Sequence, residues 1–157
     1  MAKHPYNKLY LEDVQDNLGN MLEYAAECKL DTKTVWNMFV GSKVARAIEA
    51  ANPNYLSGHS APELLLLVLE ENNYDVDKYS KMISAINYYI VNDLCYYWVG
   101  FALARLQYET GMTFKDINKY INMDDMLGRL YILHEADISK FLNVAEKIIK
   151  QSADEDK

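Results

Sequence analysis

At 157 residues, half of them apolar and a quarter charged, the chain has the size and composition of one globular domain, which excludes a disordered or collagen-like polymer and a staple-dependent miniature fold. The net charge of −7 argues against a nucleic-acid binder, because neutralising phosphates with a basic surface supplies most of that affinity. Cys28 and Cys95 form neither a CxxC pair nor a Cys/His ligand spacing, so a disulfide framework and a zinc site are both disfavoured and a reducing cytoplasm is expected.

The opening "MAKHPYNKLY" has no apolar run behind its lysine, so it does not read as a signal peptide. Leu11, Val14, Leu18, Leu22 and Ala25 recur at three- and four-residue steps and predict an amphipathic helix from about Leu9 to Cys28. Asp31 is placed to cap a second helix through Val35, Trp36, Phe39, Val40, Val44 and Ile48, ended by Asn52 and Pro53. In the turn-rich "NPNYLSGHSAPE", Ser60 and Glu63 have capping-box spacing and Pro62 falls in the first turn of a third helix. That helix carries "LLLLVL", apolar all round, and is expected at the centre of the domain.

The segment "KYSKMISAINYYIV" reads equally as helix or as extended chain, and Asn92 or Asp93 could cap the helix after it. That helix, "LCYYWVGFALARLQYETG", is the strongest of the chain and is expected to end at Gly111, with Leu94, Tyr97, Phe101, Ala104 and Tyr108 on one face. Gly100 and Ala104 make a flat spot where another helix can approach. Its apolar stretch, Leu94 to Ala104, is eleven residues long, against roughly 20 for a bilayer span. Thr113 with Asp116 and Asn122 with Asp125 repeat the capping spacing for "FKDINKYI" and "MDDMLGRLY". A last helix carries Ile138, Phe141, Leu142, Ala145, Ile148 and Ile149. The expected fold is all-α: one domain over residues 1–151, a bundle or orthogonal array of six or seven helices, with 152–157 a polar disordered tail.

Four blocks carry a resemblance: "LYLEDVQDNLGNMLEYA", "NPNYLSGHS", "YYWVGFALARLQYETGMTFKDI" and "LHEAD", in that order along most of the chain. Together they resemble a group of small uncharacterised helical proteins of Firmicutes. The stretch Asn72 to Asn92 is longer and richer in tyrosine than that pattern. The resemblance implies a genetic context: such proteins are often encoded beside small toxin-like, ADP-ribosyltransferase-like proteins. An antitoxin or accessory-subunit role is what that context suggests.

"RLYILHEADI" holds the candidate chemistry. Arg129 followed by His134, ahead of the last helix of a helical domain, resembles the arrangement in HEPN ribonucleases, which implies a histidine handling the 2′-hydroxyl proton and an arginine holding the phosphate. Against this, "LYIL" between them is wholly apolar, and Glu135 and Asp137 put negative charge where a phosphate would sit. The competing expectation is structural: His134 caps the last helix, and Glu135 and Asp137 occupy its first turn. As metal ligands, His134, Glu135 and Asp137 are too close in sequence to converge, so no metal and no cofactor are expected. A helix-turn-helix over "TFKDINKYINMDDMLGRLY" would present Asp124, Asp125 and Arg129 to bases, a poor set for reading DNA.

The remaining cluster is aromatic: Tyr88, Tyr89, Tyr96, Tyr97, Trp98 and Tyr108. Consecutive tyrosines cannot all face one core, so Tyr96 with Gly100 and Trp98 with Arg105 are expected on a second face of the helix. Exposed tyrosine, tryptophan and arginine dominate interface energetics. The function expected from the sequence is therefore non-enzymatic binding of another protein, through Tyr96, Trp98, Arg105, His134, Glu135 and Asp137, with self-association left open.

Overall fold

The computed structural model describes residues 4–86 and 94–156. In it the spacing that begins at Leu11 becomes α1 (Leu11–Glu27), preceded by a 3-10 turn (Lys8–Tyr10). There follow α2 (Thr32–Val40), α3 (Lys43–Glu49), the single turn α4 (Pro53–Leu56), α5 (Ala61–Glu71), α6 (Val76–Ser84) and α7 (Leu94–Thr110). The chain closes with α8 (Phe114–Tyr120), α9 (Met123–Leu127), a second 3-10 turn (Tyr131–Glu135) and α10 (Ile138–Glu155). No strand occurs among the described residues, and the domain is all-α. Tyr88, Tyr89, Asn92 and Asp93 lie outside the described residues, as does the side chain of Leu94.

Side-chain caps set most helix starts. Ser42, Asn52, Ser60, Asp75, Thr113, Asn122 and Asp137 each accept a backbone N–H of the first turn, a bond worth about 1 kcal/mol at such a position. Ser60 and Asn122 form complete capping boxes with Glu63 and Asp125. Asp31 does occupy the N-cap of α2, but its carboxylate accepts from the Thr34 hydroxyl (2.7 Å) instead of from backbone.

One expected helix breaks in two, one segment is decided between its alternatives, and one helix is longer than expected. The continuous helix from Asp31 to Asn52 breaks at Gly41 and Ser42: the Ser42 hydroxyl donates to the Phe39 carbonyl (2.6 Å) and accepts from the Ala45 N–H (3.2 Å), ending one helix and starting the next. The ambiguous stretch after Asp75 is helical from Val76 to Ser84. Finally, α10 runs on through Glu155, into the residues expected to form a tail.

Helix ends carry a signal the sequence hides. Lys29, Ala51 and Asn73 all have positive φ, near 60°. At each, the residue and its successor return hydrogen bonds to the closing turn: Lys29 N–H to Ala26 and Leu30 N–H to Ala25, Ala51 to Ile48 and Asn52 to Ala47, Asn73 to Glu70 and Tyr74 to Leu69. These are Schellman closures of α1, α3 and α5 made without glycine. α7 ends as expected, at a left-handed Gly111.

The centre of the domain is the pair α1 and α7, not α5. Leu18, Met21, Leu22 and Ala25 of α1 and Val99, Ala102, Leu103, Ala104 and Leu106 of α7 are fully buried. On the α1 side lie α5 and α2; on the α7 side lie α9, α10 and the second 3-10 turn. In α5, Leu64, Leu65, Val68 and Leu69 are buried while Leu66 and Leu67 are only half-buried, so its apolar run flanks the core. A Trp36–Phe39–Phe114 cluster, with ring centroids 4.9 to 5.9 Å apart, joins α2 to α8. Glu49 ties α3 to the same region by accepting from the Phe114 N–H (2.8 Å) while paired with Arg46 (2.7 Å).

At the crossing of α1 and α7, backbones touch. A Cβ on Gly100 would lie 2.4 Å from the Leu18 carbonyl oxygen and 2.6 Å from the Gly19 nitrogen; one on Gly19 would lie 2.7 Å from the Tyr97 carbonyl oxygen. Gly100→Ala is therefore expected to destabilise by about 3 kcal/mol or to prevent folding, even though alanine is the better helix former by about 1 kcal/mol. Gly41→Ala, where a Cβ meets nothing closer than 3.9 Å, is expected to stay within about 0.5 kcal/mol of wild type in urea unfolding.

Candidate interaction surface

The surface proposed from sequence is built by α7, the 3-10 turn Tyr131–Glu135 and the start of α10. In a 3-10 turn side chains three apart eclipse one another. Tyr131 and His134 obey this, stacking with centroids 4.1 Å apart and planes 11° from parallel. His134 Nδ1 donates to the Tyr131 carbonyl (2.6 Å), which assigns the proton to Nδ1. Trp98 of α7 meets this stack edge-on, 5.9 Å from Tyr131 and 6.3 Å from His134, and meets Phe141 of α10 at 5.5 Å. Edge-to-face packing of this kind adds about 0.5–1.5 kcal/mol per pair beyond burial.

Trp98 is thus a half-buried strut, not an exposed contact residue, because the turn and α10 fold over the face that helix periodicity alone leaves uncovered. Tyr96 is likewise half-buried and packs against the core. The exposed apolar residue of this region is Ile132, at 72 %, between the two stacked rings in sequence. Tyr131 and Ile132 were expected only as part of the apolar "LYIL", and Phe141 only on the apolar face of the last helix; the i, i+3 spacing of Tyr131 and His134 after Gly128 was the available signal for their stack.

Charge surrounds the aromatic nest. Asp137, not His134, caps α10: its Oδ1 accepts from the Ser139 N–H (2.9 Å). Those hydrogen bonds to Ser139, with a smaller contribution from the charge of Arg105, hold its carboxyl below the ordinary 3.8. Arg105 itself pairs with Glu109 one turn on (2.8 Å). Glu135 ends the 3-10 turn, outside the first turn of α10, and is exposed. Arg105 and Asp137 are therefore neighbours at the edge of a surface that also holds Trp98 and His134.

Arg129 and His134 engage separate partners. The arginine is exposed and reaches back to Asp125 of α9 (3.4 Å), while the histidine is bound to the Tyr131 carbonyl, and no hydrogen bond joins the two among the described residues. Among the described residues no group of three or more His, Cys, Asp or Glu side chains is placed to hold a metal. Cys28 is buried, and burial first, then the charge of Glu27, pushes its thiol above the ordinary 9.0. No described helix is long and apolar enough to cross a membrane. Comparison with protein-family profiles, curated proteins and solved structures returns no match for this chain.

Trp98→Ala is expected to cost about 2–4 kcal/mol, read as a lower urea midpoint, because it leaves a gap among Tyr131, His134 and Phe141. Acid should also destabilise the domain. Asp31, Glu63, Asp116 and Asp137 all titrate below their ordinary values, held there chiefly by hydrogen bonds from Thr34, Ser60, Lys119 and Ser139 respectively. A carboxylate whose folded pKa is depressed gives its full contribution above its unfolded value and loses it as pH falls through the folded one. The urea midpoint is thus expected to be flat above about pH 5 and to drop below about pH 4. Asp137→Ser, which keeps a cap without a titrating group, should show a shallower drop.

Proposed function

We propose that this protein acts in the cytoplasm by binding another protein, without catalysis of its own, through the surface formed by the Tyr131–Glu135 turn, α7 and the start of α10. The observation that carries this is Ile132, a large aliphatic side chain 72 % exposed on a turn made rigid by the Trp98, Tyr131, His134 and Phe141 rings. An apolar anchor on a preorganised base, followed along the chain by the exposed carboxylates Glu135 and Asp137, has the composition of an interface centre with a polar edge. Little ordering entropy opposes association there, because the turn is already held.

The four sequence blocks that resemble the small Firmicutes proteins make a genetically neighbouring toxin-like protein, of ADP-ribosyltransferase-like type, the first partner to test, with this chain as antitoxin or accessory subunit. The acidic balance of the chain suits a basic partner surface. Ile132→Asp changes an exposed residue and should leave the thermal midpoint unchanged. It is expected to weaken co-purification of the neighbouring gene product by about ten-fold or more. Capture at the wild-type level by a folded Ile132→Asp variant would sink the assignment of this surface.

A further inference from the structure

Beside the α1–α7 crossing, away from the Ile132 turn, lies an open cleft of about 480 Å³ lined by Lys8, Glu12, Gln15, Asp16, Tyr97 and Phe101. Its floor is aromatic: the Tyr97 and Phe101 rings stack with centroids 5.8 Å apart and planes 29° from parallel, both half-buried. Apart from Lys8, its lining polar groups leave acceptors unpaired. Gln15 is only 4 % exposed, and its Nε2 donates to the Phe101 carbonyl (3.4 Å). That bond fixes the amide orientation, since the flipped amide would set oxygen against oxygen. It leaves Gln15 Oε1 without a partner among the described residues, on a side chain that lines the cleft, so this carbonyl oxygen is free to accept from a donor outside.

Asp16 accepts from the Tyr97 hydroxyl through Oδ1, and its Oδ2 has no partner among the described residues. Glu12, one turn earlier on α1, is exposed and makes no ion pair among the described residues. The field in the cleft is negative: the Tyr97 hydroxyl is pushed above its ordinary 10.0 by burial first, then by Asp16, Glu23 and Glu12. Lys8 on the rim is the cation among the lining residues, exposed and without an ion pair among the described residues.

We propose that this cleft binds a guanidinium group, that of an arginine side chain presented by a partner protein, lying flat against Tyr97 and Phe101 while donating to Gln15 Oε1, Asp16 and Glu12. Three features select guanidinium over ammonium. A planar cation stacks on ring faces, it carries five donors in a fixed fork able to serve separated acceptors, and it is weakly hydrated. A free amino acid is disfavoured because its carboxylate would lie in the field of Glu12 and Asp16. This site is distinct from the Ile132 surface, so its test stands whether or not a toxin-like partner exists.

The probe is N-acetyl-L-arginine N-methylamide, titrated into the full chain and followed by two-dimensional NMR. Saturable shifts are expected in the Gln15 side-chain amide and the Tyr97 and Phe101 ring signals. The lysine analogue and free L-arginine should each bind several-fold more weakly. Glu12→Gln, an exposed and conservative change, should weaken binding about five-fold, the scale of one lost charge contact near 4 Å in water. Lys8→Gln should tighten it about two-fold by removing the competing cation. The proposal is overturned if these signals do not move, if arginine and lysine derivatives bind equally, if free L-arginine binds as well as its amide, or if Lys8→Gln abolishes binding, which would mark an anion site instead.

Discussion

Where α1 crosses α7 the two backbones meet at a pair of glycines. Gly100 rests against the Leu18 carbonyl and the Gly19 nitrogen, and Gly19 against Tyr97. Two residues without Cβ are needed at one point, and the helices come close enough that everything on either side of them is set by that distance. Leu18, Met21 and Leu22 reach the core from one helix, Val99, Leu103 and Leu106 from the other. At this close crossing weak Cα–H···O contacts add to dispersion. The flanking helices then attach in two groups, α2 and α5 against α1, α9 and α10 against α7.

Both candidate surfaces inherit their geometry from this crossing. Tyr97 and Trp98 are consecutive on α7, about 100° apart around the helix axis. One therefore faces the α1 side, bonded to Asp16, while the other faces α10 and the Tyr131–His134 stack. A shift of α7 along α1 would displace the two rings together. The polar groups beside them are short side chains on the neighbouring elements, Asp16 within α1 and Asp137 at the capped start of α10.

Sequence patterns anticipated the features that depend on local chemistry. The all-α class, the face of α1, the caps at Ser60, Thr113 and Asn122, the Gly111 end of α7 and the use of Gly100 as a helix contact all follow from residue types at short spacing. The features that escaped depended on competition or distance. Ser42 ends one helix with its own hydroxyl, a bond that helical periodicity through Val44 and Ile48 conceals. Lys29, Ala51 and Asn73 close helices in a conformation usually announced by glycine. The burial of Trp98 and the cleft around Gln15 needed the partners of α7, which lie some 80 residues before it and 30 to 45 after it. His134 was singled out for its chemistry, and its ring proves to be the upper half of a stack that local 3-10 geometry produces.

The crossing also has a consequence in time. Glu27, the end of α1, precedes Thr110, the end of α7, by 83 residues. At roughly 5–20 residues per second, a ribosome takes on the order of 4–17 s to deliver the second helix after the first. During that interval α1 has α2 and α5 to lean on, but the strip around Leu18 and Gly19 faces water. A nascent chain in this condition presents a smooth, small-residue helix surface that any helix with a similar notch could occupy. A second, complete copy synthesised nearby would offer such a notch at its own Gly100 only if its own α1 were displaced, so exchange of α1 between copies is the misassembly to which this topology is most open.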